Sequence, residues 1–513
     1  MKTLILFTHA LLAIPLFGAG LKITDLTCEH QVNPSALHAE TPRLSWRLES
    51  SERGTRQKAY RILAASSMQA LARNEGELWD TGKKVSASNL LVFYKGQEKL
   101  APGQQVFWKV QVWDEQDQQS PWSNAAHFTM GLPAKEDWAA DWISFEDRSP
   151  LLGNPAELSL PAPRYYRKPF DSGGKVVRAR LHGSALGVLE LYLNGNRIGD
   201  SLMEPGWTDY PTSAHYVSHD VGSLLLEGPN CLGAIVADGW YAGYMGLAKR
   251  KRMGPSGTGR NIYGKTPSLL VQLHLEYADG TSRIVSTDPT WKVATGPEYE
   301  ADPFLGEAYD ASRELGNWSQ PQYDDSGWVE AVKATANKPL KAPFLDGKGR
   351  QIREVGFVEP RIMQGRGTAP IRIVEERSPV TVSESRPEFY LFDFGQNFTG
   401  GVRLRAAGLK KGQKLTIRYG VTEEDFTGDS SRSSRATDTY LCRGEGVETW
   451  APRFSLHTFR FAEVEDCPKS RLWTCLPGWW PTPTSGGQAA SSVVMSWSTA
   501  SIRTVSGPSE PAG

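Results

Sequence analysis

Period-two alternation of apolar and polar residues recurs along this chain, and long amphipathic helical stretches are missing. From Arg43 to Glu49, Leu44, Trp46 and Leu48 fall on one side and the charged and polar residues on the other. Val106, Trp108, Val110 and Val112 repeat the pattern, as do Val271, Leu273, Leu275 and Tyr277, and then Leu415, Ile417 and Tyr419. Successive side chains of a strand point to opposite faces, so such alternation marks strands with one buried face. Leu189, Leu191 and Leu193 run into Asn194-Gly195, and the Tyr277 strand ends at Asp279-Gly280; both dipeptides signal two-residue hairpins. The only short helix expected lies within Ser67–Asn74. The fold class expected is all-β.

A length of 513 residues exceeds what one hydrophobic core serves, which is at most about 250–300 residues. We divide the chain into three consecutive β-sandwich modules, 21–132, 133–337 and 351–466. A Pro- and Gly-containing linker, 338–350, separates the last two. Residues 1–20 read as a secretory signal peptide. Lys2 gives a positive start, an apolar run from Leu4 to Phe17 is too short for an ordinary membrane span, and Gly18, Ala19 and Gly20 offer a cleavage site. The competing reading is a core helix or an anchor. After the leader no stretch is apolar enough to span a bilayer, so the expected location is secreted or periplasmic. Residues 467–513 hold four tryptophans among Pro, Ser, Gly and Thr, with neither period. A disordered linker and translation out of frame both fit; the tryptophans favour the second, because linkers are poor in them.

Lys plus Arg and Asp plus Glu number 57 each, so no global field attracts nucleic acid or an anionic membrane. The cluster Lys249 to Arg252 reads as a solvated loop in a domain that is not basic. The five cysteines are scattered and odd in number, which is no disulfide framework, and no Cys or His spacing suggests zinc.

Several segments, in order, resemble bacterial α-L-rhamnosidases. The first module has Leu78-Trp-Asp-Thr-Gly82. The second has Leu191-Tyr-Leu-Asn-Gly195, Pro205-Gly-Trp-Thr-Asp-Tyr210, Asp238-Gly-Trp-Tyr-Ala-Gly243 and Gly306-Glu-Ala-Tyr-Asp-Ala-Ser-Arg313. The third has Phe392-Asp-Phe-Gly-Gln-Asn397, Ala436-Thr-Asp-Thr-Tyr440 and Pro452-Arg-Phe454. The resemblance implies a fibronectin III-like module, a jelly-roll carbohydrate-binding-like module and a concanavalin-like β-sandwich. It also implies hydrolysis of terminal α-L-rhamnose from glycans or glycosides, by an inverting pair of acids carried on a following α/α barrel. No helical periodicity follows Asp466, so the catalytic barrel is expected to be absent and no catalytic residue is assigned here. The chain is then expected to keep accessory, sugar-binding modules. The alternative is a free-standing carbohydrate-binding or adhesion protein. Either way the expected partners are rhamnose-containing glycans or glycosides, with no nucleic acid.

A sugar site needs an aromatic face and a few polar groups for the hydroxyls. Trp207, Asp209, Trp240 and Tyr241 are the candidates in the second module. Some relatives carry a calcium-dependent rhamnose-binding module here, and Asn194, Asp209 and Asp238 are the hard-oxygen candidates for Ca²⁺. The competing reading makes the tryptophans core residues and the acids turn caps. Glu307, Tyr309 and Asp310 form a second cluster, expected near the join of the modules. Asp393, Gln396 and Asn397 read as a turn between two strands, explained by Asx hydrogen bonding.

Overall fold

The computed structural model describes residues 21–146, 160–245, 260–334, 340–345, 351–355, 359–426, 435–465 and 472–479. The leader at 1–20, the basic cluster at 249–252 and the tail beyond 479 lie outside them. The described chain is β nearly throughout and divides into two compact units, residues 1–137 and 138–513.

In the first unit a sheet of Lys22–Cys28, Arg43–Glu49 and Val92–Phe93 faces a second sheet. The long antiparallel pair Gln57–Ala65 and Gln105–Asp114 forms the centre of that second sheet. The alternating residues meet between the sheets. Leu44, Trp46, Val106, Trp108, Val110 and Val112 are all buried in one core, where each large apolar side chain contributes ~1.5–3 kcal/mol. The expected helix is a single turn, Met68–Ala72, and the Ser67 hydroxyl accepts from Ala70 N as its N-cap.

The second unit begins with two facing sheets. One runs in the order Asn196–Ile198, Val188–Leu193, Pro229–Ala237, Arg164–Asp171, Lys292–Thr295, Val329–Glu330. The other is centred on Val176–Leu186 between Ser268–Tyr277 and Ser213–Asp220. Leu181, Leu189, Leu191, Val271, Leu273 and Trp291 fill the space between them. Asn194-Gly195 makes the expected two-residue hairpin: Leu193 pairs with Asn196, and the turn residues have φ of 52° and 83°. Asp279-Gly280 does not. Tyr277 N donates to Thr281 O, so the loop holds three residues, with Gly280 alone left-handed at φ 83°.

A further sheet builds the third sandwich around Phe389–Ala407, Lys414–Gly420, Thr437–Leu441 and His457–Glu465. Phe389–Ala407 is one 19-residue strand, where the sequence suggested strand, turn and strand. The Gly-rich segment is a bulge: pairing with the neighbouring strand jumps from Asp393–Phe461 to Phe398–Phe459. Asp393 fixes it, accepting from Gly395 N at 2.7 Å and from both fork nitrogens of Arg460 at 2.8 and 2.7 Å. The Asx expectation for Asp393 holds; the chain reversal does not occur.

Two strand exchanges tie these sandwiches together. Gly306–Asp310 pairs in parallel with Thr437–Leu441, and Ile362–Gly365 pairs in parallel with Ser213–Tyr216. Inside the segment read as a linker, 338–350, Leu340–Leu345 is a strand, and it pairs antiparallel with Gln351–Val355 just beyond it. Within the segment read as an unpatterned tail, Leu472–Trp479 pairs antiparallel with Gly400–Arg405.

Candidate functional site

The strand exchanges bring loops of both sandwiches of the second unit around one cleft of about 640 Å³, inside the ~300–1,000 Å³ range typical of small-ligand sites. One wall is Met203 with Pro205 to Trp207, and Trp240 comes from the short helix Gly239–Ala242. The other sandwich supplies Thr399 and Leu456 to Thr458, and residues 366–371 run between. Trp207 keeps 53 % of its surface exposed, with its indole N–H 3.4 Å from the Tyr263 hydroxyl. Trp240 is half-buried. The Thr399 and Thr458 hydroxyls lie 3.0 Å apart. Broad aromatic faces beside scattered hydroxyl and ring-nitrogen groups suit the apolar and polar sides of a sugar ring.

Arg366 is the cationic group of this cleft. Its Nη1 donates to Glu204 Oε1 at 3.2 Å, and the Glu204 carboxylate is buried behind the lining. Burial works against the Glu204 charge, yet His219 and Arg366 beside it hold the carboxyl below its ordinary range. His215 is held low by burial and then by Arg366. No Asp or Glu is among the residues that line the cleft.

Behind His457 lies a buried acid, Asp438. It accepts from Tyr419 Oη at 2.5 Å, from Glu307 N at 2.7 Å and from Ser455 Oγ at 3.1 Å, with His457 Nε2 at 3.4 Å. The His457 ring stacks on Tyr419 at 4.2 Å between centroids. These bonds hold the floor of the cleft to the exchanged strand Gly306–Asp310.

Beside this floor, Arg453 reaches from the third sandwich into an acidic, tyrosine-lined cavity of the second. It pairs with Glu298, contacts Glu190 at 3.1 Å, and donates to Tyr192 Oη at 3.0 Å and Tyr165 Oη at 3.1 Å. Glu307 Oε2 accepts from Arg453 N at 3.0 Å and Phe454 N at 2.9 Å, while its Oε1 has no partner among the described residues. Burial, with the Glu298 charge nearby, pushes Glu307 up to about 8. The cluster expected at the join is therefore there, but Tyr309 and Asp310 play local parts. Asp310 caps the turn at Ser312, and Tyr309 donates to Glu314 at 3.1 Å.

The other sequence candidates separate. Trp207 and Trp240 line the cleft. Tyr241 is buried, with its ring edge-on to Tyr210 at 5.3 Å, and is not part of the lining. Asp209 is exposed and accepts from Thr212 Oγ1 at 2.8 Å, as a turn cap does. Asn194 occupies the hairpin turn, where its amide donates to Asn230 Oδ1 and Leu224 O and accepts from Cys231 N. Asp238 is buried in an ion pair with Arg260, which also contacts Asp302. Burial raises Asp238 to about 6 despite Arg260.

An asparagine spent on both amide ends and a carboxylate facing a buried guanidinium do not fit a Ca²⁺ ion. Among the described residues no group of three or more His, Cys, Asp or Glu side chains is placed to hold a metal. Arg366, His215 and His457 were missed by sequence reasoning: Arg366 and His457 lie more than a hundred residues from Trp207 and Trp240, and His215, eight residues after Trp207, belongs to no motif that points into a site. Arg453 sat in a quoted motif, Pro452-Arg-Phe454, without a role.

Fold and cleft together define a chain of tandem β-sandwiches with a groove of ligand size in the second unit. Three family models match it in order: a Rha78A-like N-terminal immunoglobulin domain over 23–134, the alpha-L-rhamnosidase N-terminal domain over 174–346, and the bacterial alpha-L-rhamnosidase concanavalin-like domain over 383–478. An alpha-L-rhamnosidase of Alteromonas sp. (strain LOR) is 34 % identical over 438 residues, covering 84 % of this chain and 44 % of that protein. The alpha-L-rhamnosidase structure from Dictyoglumus thermophilum is 31 % identical with a TM-score of 0.75, covering 90 % of this chain and 48 % of that one. The Streptomyces avermitilis alpha-L-rhamnosidase structure, complexed with L-rhamnose, is 27 % identical with a TM-score of 0.74, covering 90 % and 58 %. The chain belongs, through these three domains, to the bacterial alpha-L-rhamnosidases, and it spans about half the length of the relatives it matches.

Proposed function

We propose that this chain is the non-catalytic, amino-terminal β portion of an exported α-L-rhamnosidase, and that its cleft holds part of a rhamnose-containing glycan. The observation that carries the reading is the make-up of the cleft: two tryptophans, hydroxyls and a guanidinium, with no lining carboxyl group. Inverting hydrolysis needs an acid and a base on opposite sides of the scissile bond, about 6.5–9.5 Å apart. The neighbouring smaller pocket is lined by a single carboxylate, Glu190, and both Arg197 and Arg453 hold it. These surroundings favour binding over bond cleavage.

The test is incubation of the purified chain with an aryl α-L-rhamnoside, alongside calorimetry with rhamnosyl oligosaccharides. We expect binding with no turnover above background. Sustained release of the aryl alcohol, abolished by replacing an acid of these sandwiches, would place catalysis in this chain and end the proposal. The second reading, a free-standing carbohydrate-binding protein, draws on the same cleft. The two part on whether the gene's reading frame continues past codon 466 into helix-coding sequence.

A further inference from the structure

The cleft's charge adds a substrate class to that reading, on which the following rests. The geometry points to a glycan bearing a carboxylate, a uronic acid unit next to the deoxysugar, with Arg366 as the residue that recognises it.

Three observations converge. First, the ionisable lining residues are Arg366, His215 and His457, and the acids paired with two of them, Glu204 and Asp438, lie behind the lining, so the face that a ligand meets carries no carboxylate. Second, Glu204 engages only one edge of the guanidinium, through Nη1. Arg366 Nε and Nη2 have no partner among the described residues, and the side chain is 17 % exposed. A guanidinium offers N–H pairs that match a carboxylate bidentately, and a charged pair in a sheltered cleft is stronger than one in water. Third, the pair with Glu204 orients the fork. Its carboxylate is 4 % exposed and is also approached by His219 Nε2 at 3.7 Å, so Arg366 is tethered from behind. A neutral glycan would stack on Trp207 and Trp240 equally well but would leave the free edge of Arg366 to water. The acidic unit is what the site discriminates.

The probes are a disaccharide of α-L-rhamnose linked to galacturonic acid, and its methyl ester, titrated calorimetrically into the full chain. The free acid is expected to bind about tenfold more tightly than the ester at low salt, with the difference shrinking as ionic strength rises. Arg366→Gln should abolish the preference, so that acid and ester bind with equal affinity. Because that change strands Glu204, the double variant Glu204→Gln/Arg366→Gln, which keeps a neutral hydrogen-bonding pair, is measured beside it and should behave the same way. Trp240→Ala should weaken both probes alike. Equal affinity of acid and ester in the native chain overturns the inference while leaving the sugar-binding reading intact. Failure of both probes to bind overturns that reading and the inference with it. A preference surviving in the folded double variant removes Arg366 from its role.

Discussion

Glu307→Gln should make the second unit less sensitive to alkali. Glu307 is fully buried, and its Oε2 caps two backbone N–H groups of the Pro452-Arg453-Phe454 turn. Glutamine keeps that acceptor and removes the titration. Burial first, and Glu298 second, lift the carboxyl from 4.5 to about 8. Between those two values the folded chain holds a proton that the unfolded chain has released. Native stability therefore falls as pH rises through this window, is complete below it, and levels off above it. At 1.36 kcal/mol per unit the full window is worth up to ~5 kcal/mol. Urea unfolding at pH 5 and pH 9, followed by tryptophan fluorescence, measures it. The two proteins should be close at pH 5, and the glutamine variant should be several kcal/mol the more stable at pH 9, a gain near the size of the window. Parallel pH dependence in the two proteins would show that Glu307 is already ionised at neutral pH and refute the burial argument.

Arg453→Met should destabilise the second unit by about 3 kcal/mol in the same urea assay, because Glu298 stays buried without its cation and Glu190 keeps only Arg197. Asn194→Ala should cost about 1–3 kcal/mol, combining a left-handed φ with lost side-chain bonds to Asn230 and Cys231; thermal melting reads it, and Asn194→Gly should recover part. Treatment with EDTA should leave the melting midpoint unchanged, since Asn194 and Asp238 are spent on protein partners; a drop reversed by calcium would contradict this.

Much of the fold was legible locally. Alternation placed the strands around Trp46, Trp108, Leu273 and Ile417, and the one short helix was placed within Ser67–Asn74. Asn194-Gly195 was read as a hairpin because both residues accept positive φ. Asp279-Gly280 carried the same signal, but one more loop residue was used, which only the cross-strand register decides. Phe389 to Arg403 misled for a related reason. A Gly and two amides look like a chain reversal, yet Asp393 and Arg460 stabilise them as a bulge inside a continuous strand. Trp207 and Trp240 were found from residue type; Arg366, His215 and His457 were not, since their shared cleft depends on the parallel pairing of Ile362–Gly365 with Ser213–Tyr216.

The sequence alone determined an all-β chain, its strand faces, the Asn194-Gly195 turn and its family, because those follow from side-chain period, backbone preference and collinear motifs. The tertiary structure alone decided which strands are exchanged between sandwiches, that Asn194, Asp209 and Asp238 serve as turn and ion-pair groups, and that Glu307 is raised. A carboxyl's charge depends on the water and partners within a few ångströms. For Glu307 the two backbone donors come from Arg453 and Phe454, more than a hundred positions away.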